Sequence, residues 1–361
     1  MKRWKRFLTC VLVVTMMIGL TACAGTSGEK KEGNTGEQGV RTFIDSAGRE
    51  VELPEKITKI APSGMISQVI LYSLCPDMLS GLAMEFPYYS IKYGEDHRDL
   101  PVFGQLYGTG DLNMEALMGA APDVLIDMGE KKDTLKEDLD AVQEQMGIPV
   151  IFIEATLTTM PQAYETLGEL GFEPEQAKKL AKYCEETLAY ADEQAAKIPD
   201  EEKKNVYLAM GNDGLMTTIQ NSIHADVLEK TGAVNVVTPD ALSGRAGNIS
   251  FEQLLVWQPD YILAESYQVY ELIMESQLWR ELDAVKNNCV YVIPYDPYSF
   301  INSPPSVNRM IGIWWLGNLL YPEYYPDSAE DKVKEYYEMF YHMDMNKDEC
   351  KEIIEVQQPG A

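Results

Sequence analysis

The sequence predicts an α/β protein with two lobes, each a mostly parallel sheet flanked by helices, joined by one long helix. Three observations predict it: a short pattern used twice, strand and helix signals that alternate on both sides of the middle, and a single long helical stretch between them. The first copy of the pattern is Asn113-Met114-Glu115-Ala116-Leu117, followed by Pro122-Asp123-Val124-Leu125-Ile126. The second is Ser250-Phe251-Glu252-Gln253-Leu254, followed by Pro259-Asp260-Tyr261-Ile262-Leu263, 137 residues further on. Each copy reads as a capped short helix, a Pro-Asp turn and a buried strand. Asn113 and Ser250 are good N-caps, and each Glu then falls in the first turn, where the helix dipole favours a carboxylate.

The chain opens on a targeting segment. Lys2, Arg3, Lys5 and Arg6 form a basic head, residues 7–20 are apolar but short for a membrane span, and the stretch ends in Leu20-Thr21-Ala22-Cys23. This order resembles the lipobox of bacterial lipoproteins, which implies cleavage before Cys23 and lipidation of its thiol. Residues 24–38 are Gly, Ser, Thr, Glu and Lys with almost nothing apolar. That composition builds no core and reads as a flexible tether. The expected organisation is a signal peptide over 1–22, a tether over 23–41, an N-terminal lobe over 42–173, a connecting helix over 174–198 and a C-terminal lobe over 199–361.

In order along the body, residues 43–54 read as a hairpin around Ser46-Ala47-Gly48. Residues 57–61 are a strand running into Pro62-Ser63-Gly64, 65–74 a helix and 79–84 a short strand. Residues 85–110 form a loop rich in Tyr, Gly and Pro, long enough to imply a function. After the first repeat come a helix over 131–146, a strand over 149–153 and a helix over 160–170. This alternation implies a parallel sheet with helices on its faces. Ala177, Leu180, Ala181, Cys184, Leu188, Ala191 and Ala195 give the three-and-four spacing of the long helix. Beyond it, strands are expected at 206–210, 234–237, 261–264 and 290–293. Helices are expected at 222–231, 305–320 and 329–341, and loops at 211–214 and 238–247.

Composition narrows the function. The chain has 30 basic and 57 acidic residues; losing the four basic residues of the signal takes the net charge from −27 to −31. Such a chain does not suit nucleic acid or any polyanion. Cys75, Cys184, Cys289 and Cys350 are scattered, and His97, His224 and His342 show no ligand spacing, so no metal site is expected. The Cys pattern establishes no disulfide framework, and buried free thiols fit it at least as well. No nucleophile elbow, zincin helix or phosphate-binding loop is present, and no catalytic residue or cofactor is assigned.

The lipobox, the tether, the Asp45-x-x-Gly48-Arg49-x-Val51 hairpin, the paired Glu units and the single long helix together resemble a substrate-binding lipoprotein of an ABC importer. The family is the one serving iron–siderophore, haem and cobalamin uptake, and the resemblance spans about residues 42–341. It implies a monomer anchored through Cys23 at the extracytoplasmic face of the cell membrane. It implies that Glu115 and Glu252 dock onto a permease that works with an ATPase. Small-molecule cargo is expected beyond the carboxyl ends of the strands, in the cleft between lobes. Candidate ligand residues are Ser63 and Gly64 at a helix start, Tyr88, Tyr107 and Tyr298 as aromatic faces, Asn212 in a loop, and Arg245 and Arg309 as cations, the last equally suited to an internal salt bridge. Aromatic rings with one or two Arg suit a metal chelate such as a ferric siderophore, haem or a corrinoid. The alternatives are the same fold binding a small oxyanion such as molybdate, a surface adhesin or sensor without transport, and, less favoured, an α/β surface enzyme.

Overall fold

The computed structural model describes residues 39–87, 92–107 and 112–355. The signal segment, most of the tether, Cys23 and Tyr88 lie outside the described residues. Strands β1 (Val40–Ile44) and β2 (Glu50–Pro54) form the expected antiparallel hairpin. Gly48 turns it with a positive φ of 75°, a region that costs a side chain more than it costs glycine. The hairpin motif is a docking device. Asp45 accepts backbone N–H bonds from Ala47 and Arg49 and pairs with the Arg49 guanidinium at 3.0 Å. Arg49 also donates to the Val150 carbonyl and to Asp140, and Asp45 accepts from Phe152 N–H, so both side chains grip the edge of the N-terminal sheet.

That sheet is built from β3 (Ile60–Pro62), β4 (Val124–Gly129) and β5 (Val150–Glu154), all parallel, in the order β3-β4-β5. Its helices are α1 (Met65–Leu74), α2 (Met114–Ala120), α3 (Leu135–Met146) and α4 (Met160–Glu169). Central β4 is buried along its whole length, as its apolar run requires. The expected strand over 79–84 is reduced to isolated bridges, Ile60 with Leu79 and Leu82 with Val102. The Phe103 ring lies directly over Gly81, where even a Cβ would collide.

The connecting helix is α5 (Pro174–Ala195), and its three-and-four stripe from Ala177 to Ala191 is buried. The C-terminal sheet has the order β11-β10-β6-β8, all parallel: β6 (Asn205–Ala209), β8 (Val234–Asn235), β10 (Tyr261–Ala264) and β11 (Val290–Val292). A small antiparallel ribbon pairs β7 (Met216–Thr218), a segment given no element, with β9 (Ala246–Asn248), at the end of the expected 238–247 loop. The helices of this half are α6 (Asp226–Lys230), α7 (Phe251–Trp257), α8 (Tyr267–Glu275), α9 (Asp283–Lys286), α10 (Arg309–Leu320), α11 (Ala329–Phe340) and α12 (Lys347–Glu355).

Helix α10 is apolar on every side because it is buried on nearly every side. At Gly312 it touches the Phe300 carbonyl, with no room for a Cβ. Trp314 of α10 stacks on Tyr190 of α5 at 4.7 Å and donates to Thr187. Helices α11 and α12 return to the N-terminal half: Gln176 donates to the Met339 carbonyl, His342 contacts the Tyr72 carbonyl at 3.1 Å, and Lys92 pairs with Glu349 at 2.5 Å. One apolar cluster therefore runs from Ile60 and Val69 through α5 and α10 to Val206, Leu208 and Leu263. Two smaller clusters cover the outer faces of the sheets. Cys75, Cys184, Cys289 and Cys350 are all free thiols, and all but Cys289 are buried.

The repeated pattern folds as a repeat. Asn113 accepts from Ala116 N–H at 3.0 Å, and Ser250 from Gln253 N–H at 3.2 Å. Both seven-residue helices end in a left-handed non-glycine residue, Ala121 and Gln258. Asp123 then accepts from the backbone of Thr58 and Lys59, and Asp260 from the backbone of Asn205. Each Pro-Asp thus ties its own strand to the chain just before the neighbouring one, which sets the register of β4 against β3 and of β10 against β6.

Candidate ligand site

At the carboxyl ends of β3 and β4 lies a cavity of about 280 Å³. One wall is the start of α1, namely Ser63, Gly64, Met65, Ile66 and Ser67. The floor is Asp127, Met128 and Gly129; Gln105, Tyr107, Glu130 and Lys132, with the apolar Leu135 and Phe152, complete the N-terminal side. The opposite half supplies Ile223, Pro304 and Pro305. Two contacts join the halves at this place: Glu130 pairs with Arg245, and Ser306 donates to the Ile66 carbonyl at 3.1 Å.

Local sequence explains the geometry. Ser63-Gly64 ends a buried strand and opens α1, which has no acidic residue in its first turn. The positive pole of the helix therefore faces the cavity with no carboxylate of its own; the carboxylate set against it, Asp127, comes from β4. The Met65 N–H is held by the Gln105 side chain at 3.2 Å. Ser67 accepts the Met128 N–H, and the Ser63 hydroxyl donates to Asp127. The Tyr107 ring carries the Lys132 ammonium 4.3 Å from its centre. Its hydroxyl oxygen is buried without a hydrogen-bond partner among the described residues.

Asp127 is the chemically distinctive group. It follows Val124-Leu125-Ile126 on the most buried strand and is itself only 5 % exposed. Burial pushes its carboxyl up to about 6; the Ser63 hydroxyl and the Lys132 charge offset only part of that. The same burial, with the Asp127 charge nearby, pushes the Tyr107 hydroxyl up. The cavity therefore offers donors from Tyr107 and the α1 pole, and acceptors from Asp127 and Glu130. Such a lining orients a solute that carries both signs of polarity.

Of the residues expected from sequence, Ser63, Gly64 and Tyr107 line this cavity. Arg245 stands at its mouth, occupied by Glu130. Asn212 is exposed in the loop after β6 and does not line it. Tyr298 is buried among aromatic rings, 5.5 Å from Tyr93 and 6.3 Å from Tyr341, so it presents no face to the cavity. Arg309 is fully buried, pairs with Asp226 at 2.9 Å and donates to the Ile223 and Ser306 carbonyls. It is an internal ion pair that fixes the Ile223 loop, because an unpaired buried guanidinium would be prohibitively costly. Glu115 and Glu252 are both exposed in the first turns of α2 and α7. Sequence reasoning placed the Gln105-Leu106-Tyr107 loop at the cleft but did not assign Asp127, Ser67, Glu130 or Lys132. The available signal was a carboxylate closing an otherwise apolar strand.

Two parallel-sheet lobes on a single long helix, with a cavity at their facing edge, define a solute-binding protein. The family model for the periplasmic binding protein matches residues 94–297, and the chain belongs to that family. It is 28 % identical to an ABC transporter solute binding protein from Sulfurospirillum deleyianum, with a TM-score of 0.79 over 86 % of this chain and 98 % of that one. It is 23 % identical to the molybdate-binding protein MolA of Haemophilus influenzae over 85 % of this chain and 93 % of MolA. It is 24 % identical to YvrC of Bacillus subtilis, an ABC transporter substrate-binding lipoprotein, over 78 % of this chain and 86 % of YvrC.

Proposed function

We propose that this chain is the substrate-binding lipoprotein of an ABC importer, anchored through Cys23, and that it captures a compact metal chelate in the cavity at Asp127. The observation that carries the cargo reading is the bipolar lining: the helix pole and Tyr107 supply donors, Asp127 and Glu130 acceptors. A chelate combines a cationic metal with outward-facing ligand oxygens and satisfies both. A volume of about 280 Å³ lies at the low end for small-molecule sites and favours a small hydroxycarboxylate chelate of ferric iron over haem or a corrinoid. Arg245 serves as the cation of the cavity mouth, and Glu115 and Glu252 as the docking contacts for permease guanidinium groups. Each is an exposed carboxylate on a matched, rigidly capped helix. The similarity to MolA favours a second reading, in which the cargo is a tetrahedral oxyanion such as molybdate.

A thermal-shift panel on the mature protein tests this. It includes ferric citrate, a ferric hydroxamate, haem, cobalamin and molybdate, with each metal-free chelator as control. Cargo that binds only the folded state raises the melting temperature by mass action. A shift with a compact ferric chelate is expected. A shift with molybdate alone selects the second reading, and no shift with any member removes the cargo assignment.

A further inference from the structure

We propose that Asp127 is the selectivity residue of the cavity: its carboxylate demands a positive or hydrogen-bond-donating face from the cargo, and so rejects fully ionised tetrahedral oxyanions. The inference rests on reading the cavity as the cargo site. It follows from which charges in the lining are already compensated. Glu130 is paired with Arg245. Asp127 forms no ion pair among the described residues. Its one side-chain contact, from Ser63, is neutral. Lys132, the nearest cation acting on it, is exposed and placed over the Tyr107 ring. Arg49 is spent on Asp45 and Asp140.

Asp127 is therefore the charge of the floor that has no ion-pair partner among the described residues, offset only in part by Ser63, Lys132 and the Met128 N–H, and almost wholly withdrawn from water. A dianion seated there would meet a carboxylate at close range, and like charges brought together without water are strongly unfavourable. A metal centre, or a ligand hydroxyl or amide N–H, would instead complete it. The Tyr107 hydroxyl near it is buried and has no hydrogen-bond partner among the described residues, so a ligand oxygen that reached it would satisfy it. The α1 pole attracts an anion and Asp127 vetoes one that has no donor, which together describe a chelate rather than a bare oxyanion.

The experiment compares wild type, Asp127→Asn and Asp127→Glu by calorimetric titration with molybdate and with ferric citrate at pH 7.5. Circular dichroism melts confirm that each variant is folded. Asp127→Asn keeps the shape and the Ser63 contact but removes the charge. It is expected to bind molybdate roughly 100-fold or more tighter than wild type does, and ferric citrate at least about tenfold more weakly. Asp127→Glu retains the rejection of molybdate. Ferric citrate binding by wild type, with molybdate affinity in Asp127→Asn within about threefold of wild type, overturns the selectivity role and leaves the importer reading standing. Titrations in which neither probe binds any of the three proteins overturn the selectivity role too, because removing the charge then fails to admit molybdate, and the cargo panel above decides the cargo reading separately.

Discussion

An ionised carboxylate on the floor of an apolar sheet has a cost that can be measured without any cargo. The perturbation is Asp127→Asn. In the fold, burial holds the Asp127 carboxyl up at about 6, against an ordinary value of 3.8. A carboxyl whose folded value is raised favours folding while protonated. That contribution is complete below about pH 3.8, is lost as pH rises through about 6, and leaves the fold carrying the full cost above it. A rise of about 2 pH units corresponds to about 3 kcal/mol. Asparagine never ionises, so the variant escapes this cost, although its amide accepts the Ser63 hydroxyl more weakly than a carboxylate does, which returns about 1 kcal/mol. The variant should therefore be more stable than wild type by about 2 kcal/mol at pH 7.5 and not more stable at pH 4. The assay is urea denaturation of both proteins, followed by far-ultraviolet circular dichroism at half-unit steps from pH 4 to pH 8. Every other carboxylate titrates equally in the two proteins and cancels in the difference. The difference should grow between about pH 4 and pH 6.5 and then level off. Parallel stability curves over the whole range would refute the claim that Asp127 is buried without an ion-pair partner.

The other predictions concern the two ends of the transport reading and the ion pair behind the cavity. Glu115→Ala together with Glu252→Ala should abolish cargo uptake by cells and leave cargo affinity unchanged, because both side chains are exposed and neither lines the cavity; normal uptake by the double variant rejects the docking role. Arg245→Ala should weaken cargo binding by up to about tenfold while the melting temperature moves by no more than about 1 °C, since an exposed ion pair contributes about 0–1 kcal/mol. An unchanged dissociation constant removes Arg245 from the site. Arg309→Met should destabilise the protein by about 3 kcal/mol in urea melts, because it strands Asp226 and frees the Ile223 and Ser306 carbonyls. A wild-type midpoint contradicts the internal ion pair.

Elements whose cause is local were legible in the sequence. The helix expected over 65–74 is α1 residue for residue, and the long helix starts where expected and ends within three residues of expectation. The paired units were readable because cap, first-turn Glu and Pro-Asp lie within about a dozen residues of one another, and each contact they make on folding is short-range or to the adjacent strand start. The ribbon of β7 and β9 was not legible, since its two strands are three residues each and pair across a long separation. The expected 79–84 strand failed for a tertiary reason, the ring of Phe103 over Gly81. The tail past residue 341 was read as no element at all. Helix α12 is polar by composition and buries only Cys350 and Ile353, so its apolar signal is weak.

The site divides along the same line. Ser63 and Gly64 were legible because a strand end that opens a helix is written in consecutive residues. Cations are easy to find in a sequence and hard to place. Arg245, in a Gly-flanked loop, and Arg309, at a helix start and equally suited to an internal salt bridge, were both candidates; Arg245 pairs with Glu130 of the cavity lining and Arg309 is sealed behind it by Asp226, a partner no neighbouring residue in the chain reveals. Asp127 is the reverse case. A carboxylate after Val124-Leu125-Ile126 is a local anomaly visible to any reader of the sequence. Its meaning depends on what lies opposite: a partner guanidinium would have made it structural, as Arg49 does for Asp45. The fold instead brings the Ser63 hydroxyl, the Met128 N–H and the more distant charge of exposed Lys132, with the cavity open above, so no guanidinium makes it structural and the proposed cargo role fits it. Unpaired buried charge costs stability, and a fold retains it at positions where binding recovers the cost.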